Sequence, residues 1–241
     1  MGKRGKRYRE AAAKIEAGTL YGPRAALTLL KETSTVNFDP TVDVVFRLGV
    51  DPRQADQMVR GAVSLPHGTG QTAVVAVVTS GENIAAAQEA GADHVGGDEL
   101  VEQLEAIADE IDAIVATPDM MGKLGRLGKV LGPRGLMPNP KSGTVTQDVA
   151  KAVREIKGGR VEYRVDRTAN VHTILGKASF TVDQLVGNFD SLFEEISRQR
   201  PASTKGRYVK TIAVSTTMGP AIHIDPAKAK ALTAEEEAGA A

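Results

Sequence analysis

The alternation of hydrophobic and polar positions divides the chain into three stretches. Residues 41–50 alternate with the two-residue period of a half-buried strand, so one face belongs to a core and the other stays available. Residues 72–79 form an almost continuous apolar run, which is typical of a strand buried on both faces. Residues 208–216 alternate again and lead through a turn into a short strand at 221–225. The pattern predicts half-exposed sheets at both ends of the chain and a covered sheet in the middle.

The other predicted elements fill the intervals between these strands. Helices are predicted at residues 8–17, 23–31, 53–60, 83–90, 98–109, 148–157 and 181–198, and further strands at 61–65, 92–95, 111–116, 160–166 and 171–175. Asp148 is the expected N-cap of one helix, and Thr181 with Gln184 forms a capping-box pattern for another.

Two clusters of residues that break regular structure, 66–70 and 158–159, bracket the middle stretch. Between them strands alternate with helices, which implies a parallel sheet. The predicted fold class combines α/β and α+β: a discontinuous two-layer α+β domain of residues 1–67 and 160–230, and an inserted three-layer, Rossmann-like α/β domain of residues 68–159. Residues 231–241 are mostly alanine and glutamate without an apolar period, and we predict a disordered tail.

Charge follows the same division, although the formal net charge of the 241 residues is zero. Residues 1–70 carry 11 Lys and Arg against 7 Asp and Glu, and residues 158–234 carry the same numbers. Residues 71–157 carry 8 against 13. Basic ends around an acidic middle suggest a polyanion-binding unit built from both ends, with a solvated basic face as the alternative.

The most unusual stretch is residues 122–140, GKLGRLGKVLGPRGLMPNP, which combine glycine, proline and cations and lie in a segment without acidic residues. The spacing predicts a shaped cationic loop rather than an amphipathic element. Its glycines could let phosphate oxygens approach backbone N–H groups, or they could serve tight packing. The stretch contains neither a Gly-Lys-Ser/Thr triplet nor a G-x-G-x-x-G pattern.

Candidate enzyme chemistry is sparse. The chain has no cysteine, and its four histidines are not in a metal-ligand spacing, so we expect no thiolate chemistry, no metal and no cofactor. Asp93 and His94 are adjacent, and adjacent strand residues point to opposite faces, which argues against an acid/base pair. No apolar run approaches a membrane span and the basic N-terminus is followed by alanines, so we expect a cytoplasmic protein without a membrane partner.

Four strings carry a resemblance to a known family. Residues 127–140 (LGKVLGPRGLMPNP) resemble the signature of the ribosomal protein L-one family, the protein of the mobile rRNA stalk beside the tRNA exit site. Residues 59–70 (VRGAVSLPHGTG), 176–180 (GKASF) and 215–220 (STTMGP) are similar to further strings of that family. The resemblance covers nearly the whole chain except the acidic tail, and it implies the same discontinuous domain layout.

The resemblance also implies where RNA binds. The turn at residues 215–220 is similar to the family's main rRNA contact, and its composition supplies hydroxyls, an adaptable apolar side chain and a residue without Cβ, although an ordinary hairpin turn is the alternative. The first strand resembles the second half of that surface; the family often has lysine where this chain has Asn37. The predicted RNA-binding residues are Asn37, Phe38, Thr41, Asp43, Arg164, Arg167, Thr211, Thr216, Thr217, Met218 and Gly219. Of these residues, Arg164, Arg167 and Thr211 are expected on neighbouring strands, where they could complete the patch. A secondary RNA-facing loop is predicted to contain Lys123, Arg126, Lys129 and Arg134.

The function implied by the resemblance is that of a non-enzymatic large-subunit ribosomal protein. Its expected partners are the 23S rRNA stalk, the exit-site tRNA whose release it assists, the large ribosomal subunit, and its own mRNA, whose translation it represses. A nucleotide-using α/β enzyme is one alternative, but it lacks a glycine fingerprint after the first buried strand. A protein-interaction module acting through the acidic helix near residues 99–110 is the other.

Overall fold

The computed structural model of the protein describes residues 5–81 and 83–229. The chain divides into two compact units, a discontinuous one made of Met1–Gly70 and Val161–Ala241 and an inserted one made of Gln71–Arg160. Each unit has hydrophobic core of its own. The expected disordered tail, residues 231–241, lies outside the described residues.

The helices and strands follow one another along the chain in this order: α1 (Lys6–Ala13), α2 (Pro23–Thr33), β1 (Thr41–Leu48), β2 (Arg60–Ser64), β3 (Val75–Val78), α3 (Asn83–Glu89), β4 (His94–Gly96), α4 (Asp98–Ile107), β5 (Ala113–Ala116), α5 (Met121–Leu124), α6 (Gly128–Leu131), α7 (Val149–Lys157), β6 (Arg160–Arg164), β7 (Asn170–Lys177), α8 (Val182–Arg198), β8 (Val209–Thr216) and β9 (Ile222–Ile224). Short 3-10 turns occur at Ala55–Gln57, Pro118–Met120, Gly125–Leu127 and Pro140–Ser142.

The discontinuous unit is built around an antiparallel sheet of strand order β7-β1-β8-β9. Alternate residues of β1 are buried, and they pack against α2 and α8 in a single core. The ring centroid of Phe46 lies 6.1 Å from that of Phe189 and 6.4 Å from that of Phe193, both on α8. The alternate residues of β1 and β8 that face away from this core are partly or fully exposed, so the opposite face of the sheet is open. Strands β2 and β6 form a separate two-stranded sheet.

The inserted unit contains a parallel sheet of order β4-β3-β5 with helices on both faces. All four residues of β3 are buried, because Val75 and Val77 face the cluster that includes α7 while Ala76 and Val78 face the cluster that includes α4. The side chain of Asp148 accepts a hydrogen bond from the Lys151 N–H and caps α7. These sheets and helices confirm a mixed α and β fold class.

Two predicted elements are wrong. Residues 53–59 contain only the 3-10 turn Ala55–Gln57, and Arg60 already belongs to β2. Side chains compete for the backbone here: the Asp51 side chain accepts from the Arg53 N–H, and the Gln57 side chain accepts from the Asp51 N–H. Residues 121–131 are successive helical turns rather than a loop. Leucines three or four residues apart supply the reason, because Leu124 and Leu131 are buried and Leu127 packs beside them.

Candidate nucleic-acid interface

The open face of the four-stranded sheet presents every second residue of β1. Thr41, Asp43 and Val45 are partly exposed and Arg47 is exposed, whereas their neighbours in sequence are buried. The residues opposite them in β7 and β8 form rows across the face. Asp43 lies between Ile174 and Ser215, Val45 between His172 and Ala213, and Arg47 between Asn170 and Thr211. The prediction that Thr41 and Asp43 point away from the core is confirmed.

The turn after β8 forms the tip of this face. The Gly219 N–H donates to the Thr216 carbonyl over 2.8 Å, which closes a four-residue turn, and the Thr217 N–H donates to the Thr41 carbonyl over 3.0 Å. Met218 has a backbone φ of +68° and its side chain is 78% exposed. A left-handed conformation is costly for a residue with a Cβ, and such positions cluster at binding sites. The turn therefore holds a large apolar side chain in solvent at a strained position.

Gly219 is required by the turn itself. A Cβ at this position would lie 2.2 Å from the Thr216 Oγ1, far inside contact distance. The side chain of Thr216 is 4% exposed, so it packs under the turn instead of offering a hydroxyl to a ligand. Thr216 is the least exposed of the predicted residues of the turn, because its side chain lies on the buried face of β8.

Phe38 lies at the same end of the sheet as the turn. Its side chain is 56% exposed, and the loop that carries it is held by Asp39, which accepts from the Ser179 N–H over 3.0 Å and from the Ser179 hydroxyl over 2.7 Å. The Ala178 N–H donates to the Pro40 carbonyl. Among the described residues only Leu20, Phe38, Met58 and Met218 are large hydrophobic side chains with high exposure. Phe38 and Met218 belong to one surface, and a ligand with an apolar face would cover both side chains.

The electrostatics of this end centre on the Asp43 carboxylate and the Lys177 ammonium group. Burial raises the pKa of Asp43, and the charges of His172 and Lys177 oppose that rise. The Lys177 Nζ donates to the Thr41 Oγ1 over 3.0 Å. Sequence reasoning missed Lys177, although it stands inside the GKASF string that carries part of the resemblance. Its register opposite Thr41, which places it here, depends on the pairing of β1 with β7.

Three predicted residues lie elsewhere in the discontinuous unit. Arg164 is on β6, which pairs with β2, and the next residue, Val165, bridges Val171 of β7, so Arg164 lies beside the β7 edge of the four-stranded sheet. Arg167 lies in the turn before β7, beside the end of β1, where the Leu48 N–H donates to the Ala169 carbonyl. Thr211 is on a neighbouring strand as expected, but it pairs with Arg47. At about 3.3 Å per residue, the five residues from Thr211 to Thr216 span roughly 17 Å. These residues are therefore distant from the Met218 turn.

The cations of the secondary RNA-facing loop, which belongs to the inserted unit, are partly neutralised by acidic side chains. Lys123 pairs with Asp98 at 2.5 Å, and Arg134 pairs with Asp109 at 2.9 Å, so two of the four cations contact the acidic helix α4 or the residues after it. Arg126 and Lys129 are exposed. A Cβ added at Gly122, Gly125 or Gly128 would meet no atom within 4 Å, so tight packing within the unit does not explain these glycines.

The part of the chain that the structure describes has neither a cluster of metal ligands nor a membrane-spanning helix. No group of three or more His, Asp or Glu side chains there could hold a metal ion. None of the helices in residues 5–81 and 83–229 is long and apolar enough to cross a bilayer.

An open sheet face that ends in an exposed aromatic ring, an exposed methionine, hydroxyls and a lysine has the side-chain types of a protein that binds irregular RNA. The comparison with known proteins identifies the family. A model of the Ribosomal protein L1p/L10e family matches residues 30–220, and the chain belongs to this family.

Related proteins extend the similarity over nearly the full chain. The large ribosomal subunit protein uL1 of Streptomyces virginiae is 59% identical over 240 residues, 99% of each chain. The protein of the same name from Nocardioides sp. (strain ATCC BAA-499 / JS614) is 60% identical over 234 residues, covering 97% of this chain and 98% of the relative. That from Thermobifida fusca is 59% identical over 224 residues, 93% and 95% of the two chains. The family consists of ribosomal proteins, so the prediction of a structural ribosomal protein rather than an enzyme is confirmed.

Proposed function

We propose that the protein binds the stalk of 23S rRNA in the large ribosomal subunit, in the cytoplasm, through the end of the sheet that carries Phe38 and Met218. The observation that carries the proposal is Met218, a left-handed and mostly exposed methionine. The protein tolerates both a strained backbone and an exposed apolar side chain at one residue. Such a combination is stabilised when a ligand covers the side chain.

The side chains at this end supply complementary contacts for RNA. The Phe38 ring can stack on an unpaired base, and Met218 can pack against a base or ribose. Thr41 and Thr217 carry hydroxyls, and the Asp43 carboxylate accepts hydrogen bonds from 2′-OH or base amino groups. Asn37, next to Phe38, adds an amide that both donates and accepts. Gly219 brings the backbone to the tip of the turn, and Arg47, Thr211, Arg164 and Arg167 would reach only RNA that extends along the unit.

Two further RNA partners are the exit-site tRNA and the protein's own mRNA. We propose that the bound protein moves with the stalk and assists release of deacylated tRNA from the exit site, with Arg126 and Lys129 as cations exposed to RNA. We also propose that the same surface binds a site in the protein's own mRNA that mimics the rRNA, which would repress translation.

The test is titration of the purified protein with a stalk fragment of 23S rRNA, combined with footprinting on the complete rRNA. We expect protection confined to the stalk, and an affinity that falls steeply as salt rises, because phosphate contacts release counterions. An RNA of equal length and scrambled sequence is the control. Equal affinity for both RNAs, or no dependence on salt, would contradict the proposal.

A further inference from the structure

The chain passes from the discontinuous unit to the inserted unit after residues 66–70, which we call the first crossing. The first crossing packs against the end of β7. Gly70 has a φ of +72°, and a Cβ there would lie 2.8 Å from the Lys177 Cγ and 2.9 Å from the Phe180 Cε1. Only a residue without a Cβ allows this approach in this conformation. The aliphatic part of the Lys177 side chain therefore lies directly on the backbone of the crossing.

Asn188 attaches the same crossing to β7 at a second point. Its fully buried amide accepts from the His67 N–H over 3.0 Å and donates to the carbonyls of Gly68, over 2.9 Å, and Leu175, over 2.8 Å. The carbonyl oxygen of the amide and its NH₂ group are both engaged. The backbone of the crossing and the strand end that carries Lys177 are thus held together.

The charged end of Lys177 lies at the candidate interface. Its Nζ donates to the Thr41 hydroxyl, and the Thr41 carbonyl accepts from the N–H of Thr217, the residue before Met218. An ammonium group has three donors, so this bond leaves capacity for others. Within residues 5–81 and 83–229, no carboxylate lies at ion-pair distance from this Nζ. The cation is positioned beside the RNA-binding turn and is not neutralised by an ion pair.

We propose that Lys177 binds an RNA phosphate and that Gly70 positions it, so that RNA binding and the order of the first crossing are coupled. This inference rests on the proposed function of the same surface. Packing on Gly70 restricts the lysine stem before RNA arrives, which lowers the conformational entropy lost on binding. Coupling is reciprocal: if an ordered crossing favours RNA binding, bound RNA favours an ordered crossing.

The direct test replaces the charge and keeps the stem. Lys177→Met should lower affinity for the stalk rRNA fragment roughly tenfold, the order expected for one charge-assisted hydrogen bond. It should also reduce the slope of log affinity against log salt by about 0.9, the value for one duplex phosphate contact. Lys177→Arg should restore most of the affinity. Unchanged affinity and slope in Lys177→Met, with the unaltered protein binding normally, would overturn the role of Lys177. Failure of the unaltered protein to bind would overturn the proposed function itself.

Gly70→Ala tests the positioning, and Gly206→Ala is its matched control. Gly206 has a φ of +77° in the same unit, and a Cβ there would meet nothing within 4 Å, so its substitution reports backbone strain alone. Gly70→Ala should weaken RNA binding more than Gly206→Ala, but it should have no further effect in a protein that already carries Lys177→Met. Additive effects of the two substitutions would overturn the coupling. Thermal melts show that each variant is folded.

Amide hydrogen exchange in the first crossing tests the coupling directly. If Lys177 only stabilised the fold, replacing it would not alter the effect of RNA on this exchange. The His67 and Gly68 amides are hydrogen-bonded in the crossing, to Asn188 and to the Leu65 carbonyl. RNA should slow their exchange in the unaltered protein and should have a much smaller effect in Lys177→Met at saturating RNA. Equal slowing in both proteins would contradict the coupling through Lys177.

Discussion

Substitutions at Met218 can distinguish the effect of its strained backbone on stability from the effect of its side chain on RNA binding. At φ +68° glycine is relaxed, whereas a residue with a Cβ pays roughly 1–2 kcal/mol. We expect Met218→Gly to melt at the same temperature as the unaltered protein or slightly above it, and to lose much of its affinity for stalk rRNA. Differential scanning calorimetry and RNA titration measure the two effects.

Met218→Ala is the control for this prediction, since it removes the side chain and keeps the strain. It should match Met218→Gly in RNA affinity and melt below it. A lower melting temperature for Met218→Gly than for Met218→Ala would contradict the prediction, because it would show that relief of the left-handed strain does not stabilise the turn. Gly219→Val is less informative, because the clash with the Thr216 Oγ1 would disturb folding and binding together.

Asp43 should make stability depend on pH in an unusual direction for a carboxylate. Burial raises its pKa, so the folded protein holds the proton more strongly than the unfolded chain does. The contribution of Asp43 to stability is therefore complete below the ordinary pKa near 3.8 and is lost as pH rises through the higher folded value. Asp43→Asn should raise the melting temperature at pH 7, and the difference should shrink toward pH 3.

The same substitution should weaken RNA binding, because the amide has one acceptor oxygen where the carboxylate has two. Asp93→Asn is a useful contrast, since hydrogen bonding from the Val75 N–H lowers the pKa of Asp93 and the substitution should destabilise at pH 7. An Asp43→Asn protein that is less stable than the parent at pH 7 would contradict the prediction.

At the scale of elements, α7 shows how the inserted unit can be weakened without touching the candidate interface. Asp148 caps α7 by accepting from the Lys151 N–H, and loss of such a cap costs about 1 kcal/mol. Asp148→Ala should lower the stability of the inserted unit by about that amount, measured by urea unfolding. Its affinity for stalk rRNA should not change at temperatures where both units are folded. A fall in affinity comparable to that of Met218→Gly would instead assign a main contact to the inserted unit.

At the scale of the whole molecule, the discontinuous unit should bind stalk rRNA by itself. It has its own core and contains both the basic ends and the Met218 turn. We expect a protein that joins Gly70 to Val161 through a short Gly-Ser linker to fold and keep most of the affinity. A second protein that omits residues 68–70 should fold but bind more weakly, because the Lys177 stem loses its contact with Gly70. If the first protein folds and cannot bind, the main site lies in the inserted unit.

Local patterns in the sequence were sufficient for much of the secondary structure. Alternation predicted β1 and β8, the unbroken apolar run predicted β3, and the cap residues Asp148 and Thr181 marked the starts of α7 and α8. These signals are local, because side-chain period and capping involve residues only a few positions apart. Local signals failed at residues 53–60, where side chains bonded the backbone in place of a helix, and at 121–131, where glycines concealed an apolar period of three to four residues.

The sequence by itself determined the class of this protein, since strings such as STTMGP and LGKVLGPRGLMPNP carried the resemblance to a family to which the chain belongs. It also identified Phe38, Asp43 and Met218 as candidates for one surface. Only the tertiary structure decided which candidates lie together. Strand pairing brought Lys177 to Thr41 and placed Thr211 beside Arg47, and the pairing of β6 with β2 placed Arg164 outside the four-stranded sheet. Pairing depends on residues more than a hundred positions apart, so no local pattern encodes it.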